Sequence, residues 1–224
     1  MTDLAARWHA IRARVDAACE RAGRAAADVT LIAVSKTHPA DAIRAALAAG
    51  AQDFGENYVQ ELAAKRAELG PSPRWHYIGR LQRNKAKLVA GQVVLVHAVD
   101  SVELAAELAK RAATTQEILL AVNVAGEQTK GGVAPEAALA LAQAIEPLGN
   151  ARLQGLMTLP PPSEDPEASR PAFLALRALR DSLQQALGRS LPVLSMGMSD
   201  DFEVAIACGS THVRIGTAIF GSRA

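Results

Sequence analysis

The chain is 224 residues long, 50% hydrophobic and 21% charged, with a formal net charge of +1. That composition excludes a disordered chain, and no apolar run approaches the roughly 20 residues that cross a bilayer, so no membrane partner is expected. Near-neutral charge argues against a nucleic-acid binder, whose phosphate contacts need a basic excess. Two cysteines, Cys19 and Cys208, are too few for a disulfide framework and point to a reduced, cytoplasmic setting.

Residues 1–24 lack the uninterrupted apolar core of a secretory signal. Leu4, Trp8, Ile11, Val15 and Cys19 recur at spacings of three and four, which predicts one amphipathic helix. Acids among its polar residues argue against an organellar presequence, so the helix packs on the rest of the chain or faces an oligomer partner. From residue 30 onward, short β-rich apolar runs alternate with helical stretches. The runs fall at 31–35, 52–56, 75–79, 93–99, 118–124, 153–159, 193–196 and 212–220, the second being the weakest. They read as near-continuous apolar segments, as expected of parallel strands covered on both faces. Pro39 suits a first helical turn, Ile43, Ala46 and Leu47 form its apolar face, and Gly50 suits its stop. Asp100 or Ser101 can cap the helix that buries Leu104 and Leu108, and Ser199 can cap one running through Phe202 and Ile206 to Gly209. The proline-rich stretch 160–166 follows a strand directly and reads as a long loop rather than a linker.

Strand and helix alternating about eight times predict a parallel α/β fold. A doubly wound sheet shares this pattern, but the count and regular spacing favour a single (β/α)8 TIM barrel over residues 1–224, with an extra N-terminal helix at 1–24 packed on it. In such a barrel the site lies where the strands end. Lys36 follows the apolar run Leu31-Ile32-Ala33-Val34 and should project near the mouth, where a desolvated amine can condense with an aldehyde. The alternatives are a lysine paired with Glu56 or lying at the surface. Gly216 and Thr217, after the last run, offer close backbone approach and a hydroxyl to a phosphate, or simply a structural turn; Ser195 and Gly197 can add to either. Asp200 and Asp201 would repel a phosphate at the Ser199 helix, which weights Gly216 and Thr217 above it. The five histidines show no metal spacing, so no metal is expected. Arg80, Arg83, Lys85 and Lys87 form a basic run, which reads as a solvated face. Lys130 is a second lysine in a strand-end loop.

Five ordered motifs, LIAVSKT at 31–37, FGENYVQ at 54–60, WHYIGRLQRNKAK at 75–87, LSMGMSDD at 194–201 and VRIGTAIFG at 213–221, resemble the pyridoxal phosphate homeostasis proteins, and the likeness covers nearly the whole chain. The resemblance implies a (β/α)8 barrel related to the N-terminal domain of alanine racemase, carrying pyridoxal 5'-phosphate (PLP) on a lysine. It places the Schiff base, an internal aldimine, on Lys36, with Asn57 beside the cofactor and Arg214 facing the pyridine nitrogen. Ser195, Gly216 and Thr217 would hold the phosphate. It further implies a role in vitamin B6 and amino-acid homeostasis without established turnover, hence no catalytic residues, with apo PLP enzymes as candidate recipients. In that family's frame the basic run Arg80–Lys87 would receive an anionic ligand. Apart from the resemblance, the position of Lys130 in a strand-end loop suggests a transient second amine for exchange.

The alternative is a weak fold-type III amino-acid racemase. Alanine racemase adds a β-domain that carries a catalytic tyrosine; here only Ser222-Arg223-Ala224 follow Gly221, and Tyr58 and Tyr77 are the only tyrosines. Two-base racemisation then lacks a member. The same comparison removes the racemase dimer contact, so a monomer is expected.

Overall fold

The computed structural model describes residues 2–126 and 131–221. Eight parallel strands close into a barrel in chain order: β1 (Thr30–Val34), β2 (Asp53–Glu56), β3 (Arg74–Tyr77), β4 (Leu95–Val99), β5 (Gln116–Ala121), β6 (Ala151–Met157), β7 (Val193–Ser195) and β8 (His212–Ile215). The seam closes where Thr30 of β1 pairs with His212 of β8 and Ala33 with Ile215. Helices α2 (Ala40–Ala48), α3 (Val59–Leu69), α4 (Val102–Arg111), α5 (Ala138–Ile145), α6 (Arg170–Leu187) and α7 (Phe202–Ala207) follow their strands, and α1 (Thr2–Arg21) precedes β1. Between β3 and β4 the crossover is a 3-10 segment, Arg83–Leu88, which carries most of the basic run.

Local sequence explains these elements. Ser101 caps α4 with its Oγ accepting from Leu104 N, Leu104, Ala105 and Leu108 face inward, and Lys110 and Arg111 complement the helix C-terminus. The predicted stripe of α1, Leu4, Trp8, Ile11, Val15 and Cys19, is buried, and the helix packs on α2, α7 and the last helix, α8 (Thr217–Phe220), of its own barrel. Arg7 donates to the Ile219 carbonyl at 2.7 Å, and Arg24 to those of Ile206 and Ser210 at 3.0 and 2.6 Å, tying α1 to the last staves.

The expected run at 212–220 is not one strand. Pairing with β1 ends at Ile215, Gly216 turns the chain, and α8 (Thr217–Phe220) buries Ile219 and Phe220. Periodicity cannot separate a strand from a helical turn within so short an apolar segment. Ser199 is likewise not a helix cap. Asp201 stands before α7, its carboxylate accepting from Met198 N at 2.7 Å and from Ser169 Oγ at 2.8 Å. No described helix is long and apolar enough to cross a membrane, and among the described residues no His/Cys/Asp/Glu cluster is arranged to hold a metal.

Candidate functional site

A cavity of about 390 Å³ opens at the C-terminal mouth of the barrel, within the size range of small-molecule sites. Of the residues predicted from sequence, Lys36, Asn57, Arg214, Gly216 and Thr217 line it together. Ser195 and Gly197 lie behind it. Ser195 is fully buried, and its Oγ accepts from Arg214 Nη1 at 2.5 Å. Gly197 is also buried; its carbonyl accepts from Arg214 N at 3.0 Å. At φ +95°, with a Cβ falling 2.6 Å from that of Ala205, this position admits only glycine. The residues of this loop that face the cavity are Met198, Ser199 and Asp200. β7 stops at Ser195, so the chain needs three further residues to reach the mouth.

Lys36 is half-buried at the end of β1, and both of its neighbours are fixed from below. Ser35 Oγ donates to Glu56 Oε1 at 2.6 Å, and Thr37 N donates to Glu61 Oε2 at 2.8 Å. Lys65 ties these together, donating to the Ser35 carbonyl at 2.8 Å, Glu56 Oε1 at 2.7 Å and Glu61 Oε2 at 3.0 Å. Thr37 is held at φ +66°, a left-handed conformation that a β-branched residue rarely adopts. Such strain, of order 1–3 kcal/mol, persists where the surroundings over-determine it. Burial pushes the Glu56 carboxyl up, against the lowering influence of Lys65 and Ser35. Glu61 is held low despite its own partial desolvation, by the Thr37 N–H and Lys65. Glu56 therefore serves Lys65 and Ser35. Sequence reasoning missed Lys65. Its only local signal was the Glu61–Lys65 spacing of four on one helix face.

Arg214 rises from β8 into the floor of the cavity. Its side-chain bonds go to neutral acceptors, Ser195 Oγ and the Thr158 carbonyl at 3.0 Å. Burial pulls its pKa down to about 10, opposed by the charge of Asp201, so it stays cationic at neutral pH. Across the cavity, Asn57 Oδ1 is buried without a hydrogen-bond partner, an orphan acceptor of the kind that a bound ligand satisfies. Tyr77 Oη donates to the Asn57 carbonyl at 3.0 Å and fixes that turn. Gly216 lies so close to β1 that a Cβ there would meet the Val34 carbonyl oxygen at 3.3 Å, and the first N–H groups of α8 beyond it have no intrahelical acceptors. An amine, a buried cation, an orphan acceptor and a small-residue turn thus surround one space, a donor set that fits an anionic, carbonyl-bearing aromatic ligand such as PLP. Of the basic run, Arg80 and Lys85 line a neighbouring cavity with Tyr58. Lys130 lies outside the described residues.

The alanine racemase N-terminal domain family matches residues 7–224. The pyridoxal phosphate homeostasis protein of Aquifex aeolicus is 50% identical over 214 residues, covering 94% of each chain. That of Pseudomonas aeruginosa is 47% identical over 227 residues, covering 100% of this chain and 97% of its own. Among solved structures, PipY of Synechococcus elongatus with PLP bound is similar at a TM-score of 0.85 and 35% identity, covering 97% of this chain and 100% of that one. With this barrel, and with similarity along its whole length, the chain belongs to the pyridoxal phosphate homeostasis protein family.

Proposed function

We propose that this protein binds PLP in the C-terminal cavity and carries it covalently on Lys36, acting in intracellular PLP and amino-acid homeostasis without catalytic turnover. The observation that carries the reading is the convergence of Lys36, Arg214, Gly216 and the unpartnered Asn57 Oδ1 on one cavity. When bound, PLP supplies an aldehyde that bonds reversibly to an amine and a ring that withdraws electrons. Lys36 Nζ is the amine, presented by a loop pinned on both sides. Arg214 donates to the ring nitrogen and, as a cation that accepts no hydrogen bond, keeps it unprotonated. The Gly216 turn, Thr217 and Ser199 take the phosphate. Ser195 and Gly197 act one layer down, holding Arg214 by side chain and backbone respectively.

Absence of turnover is supported by the tyrosines. Tyr77 is tied to the Asn57 carbonyl and pushed by burial up to about 12, far from the range of a working base. Tyr58 is 52% exposed and lines the neighbouring cavity instead. Neither stands opposite Lys36 as a second base. Thr217 is exposed at the mouth, which suits exchange of the cofactor with cytoplasmic apo-enzymes. The apolar stripe of α1 is spent on its own barrel, which supports a monomer.

The test is borohydride reduction of the PLP-treated protein followed by peptide mass spectrometry, with Lys36→Ala alongside. A reduced pyridoxyl adduct on the Lys36 peptide, missing in the variant, is expected. An adduct on another lysine, or none, refutes the assignment. Incubation of the loaded protein with each alanine enantiomer is expected to leave the enantiomer unchanged; racemisation abolished by Lys36→Ala would refute the carrier reading.

A further inference from the structure

A continuous line of polar side chains crosses the barrel interior from one mouth to the other. Arg214 Nη1 donates to Ser195 Oγ at 2.5 Å, and Ser195 Oγ lies 2.8 Å from His97 Nδ1. His97 Nε2 lies 3.1 Å from His76 Nδ1, and His76 Nε2 lies 2.9 Å from Asp53 Oδ1. Five strands contribute one member each: β8, β7, β4, β3 and β2. At the far end Arg74 grips Asp53 with two bonds, of 2.9 and 2.8 Å, beside a cavity at the N-terminal mouth. His212 walls the line with ring centroids 6.0 Å from His76 and 6.2 Å from His97, but its Nδ1 is engaged by Thr211 Oγ1 at 3.0 Å, so it is not a link.

The two ends dictate where the hydrogens sit. A guanidinium only donates and a carboxylate only accepts. Ser195 oxygen accepts from Arg214, and its single hydrogen goes to His97 Nδ1. A neutral His97 then carries its proton on Nε2 and donates to His76 Nδ1. A neutral His76 likewise carries its proton on Nε2 and donates to Asp53. With both imidazoles neutral, no other arrangement satisfies every link; reversing His97 sets two acceptors face to face at Asp53. Full burial keeps His97 neutral, and the Arg214 cation nearby acts in the same direction. The bonds of His76 and Arg74 hold Asp53 ionised against its own desolvation.

We propose that Ser195, His97, His76 and Asp53 are positioning residues for Arg214, forming a one-directional hydrogen-bond relay that couples its guanidinium to a counter-charge at the opposite mouth. A buried cation bonded only to neutral acceptors is otherwise expensive. Aligned hydrogen bonds in a low-dielectric interior polarise one another and carry the stabilisation of the distant carboxylate to it. The relay concerns the protein's own hydrogens. Its consequence for cofactor, a firmly held Arg214 that keeps the ring nitrogen unprotonated, rests on the function proposed above.

Long-range 1H–15N correlation of the histidine side chains in the cofactor-free protein tests the relay. His97 and His76 are both expected as neutral Nε2–H tautomers; His97 with its proton on Nδ1, or a doubly protonated His76, overturns it. Ser195→Ala severs the link to Arg214. This variant is expected to bind PLP 10- to 100-fold more weakly, the loss of one charge-assisted bond. Its bound cofactor should also titrate at a higher pH by visible spectroscopy, because a loosened Arg214 lets the ring nitrogen keep its proton. An unchanged spectroscopic midpoint in this variant would overturn the coupling, since a purely structural role would not move it. If the wild type takes up no PLP, the proposed function fails while the tautomer result still decides the relay.

Discussion

Acidification from pH 7 to pH 5 should weaken this barrel through its buried histidines. His97 is fully buried, and desolvation, helped by His76, His212 and Arg214, pushes its pKa well below 6.5. In the unfolded chain the same imidazole takes a proton near the ordinary value of about 6.5. The unfolded state therefore binds the extra proton. Stability is complete above that pH and declines as pH falls toward the depressed folded value. A histidine that stays neutral to pH 5 costs the fold about 2 kcal/mol over this interval. His212, also held low by burial, adds to the loss in the same direction, by less than His97 because the residue is partly exposed and its shift is screened accordingly. Glu56 opposes, since its raised carboxyl takes up a proton in the folded state first. Asp53 and Glu61, both held low, contribute only at more acidic pH. The net expectation is a loss of about 2–3 kcal/mol, a sizeable part of a typical 5–15 kcal/mol. Urea unfolding at pH 7, 6 and 5, followed through buried Trp8 and Trp75, measures it. His97→Gln should be less stable at pH 7 yet lose about 2 kcal/mol less on acidification. A wild type that changes by under about 1 kcal/mol, or a variant with the wild-type pH slope, would refute the reasoning.

Two further perturbations probe the scaffold of the site. Lys65→Met strands the fully buried Glu56 without its cation; a loss of about 3–5 kcal/mol at pH 7 is expected, with part recovered at pH 5 as Glu56 protonates. Equal losses at both pH values in urea unfolding would show that charge is not what Lys65 supplies. Gly79→Ala sets a Cβ 2.2 Å from the Asn57 carbonyl oxygen and 2.8 Å from its Cα. The Asn57 turn must then shift, so stability should fall by about 1–3 kcal/mol. PLP affinity should fall at least about tenfold with it. Wild-type melting temperature together with wild-type Kd would contradict the close approach.

What was legible in the sequence is what depends on nearby residues. The α1 stripe, the Ser101 cap and the number of strands follow from spacing within a few turns, and Lys36 could be placed because an apolar strand ends just before it. Where one short apolar run served two elements, as at 212–220, local pattern could not divide it; the register of β8 on β1 does so. The loop after β7 shows the same limit. Ser195 and Gly197 carry the right chemistry for a phosphate, yet the depth at which β7 stops turns them to Arg214 and leaves Met198, Ser199 and Asp200 at the mouth. The relay lay beyond sequence altogether, and Lys65 left only its spacing of four from Glu61 as a signal. His97 meets Ser195 across 98 positions of chain, and His76 meets Asp53 across 23. Such pairs exist only because a closed barrel brings inward-facing residues of distant strands to one level. Residue type and spacing determined which chemistry the chain could offer. Closure and stagger of the barrel decided which of those groups meet, and so which face a ligand and which hold those that do.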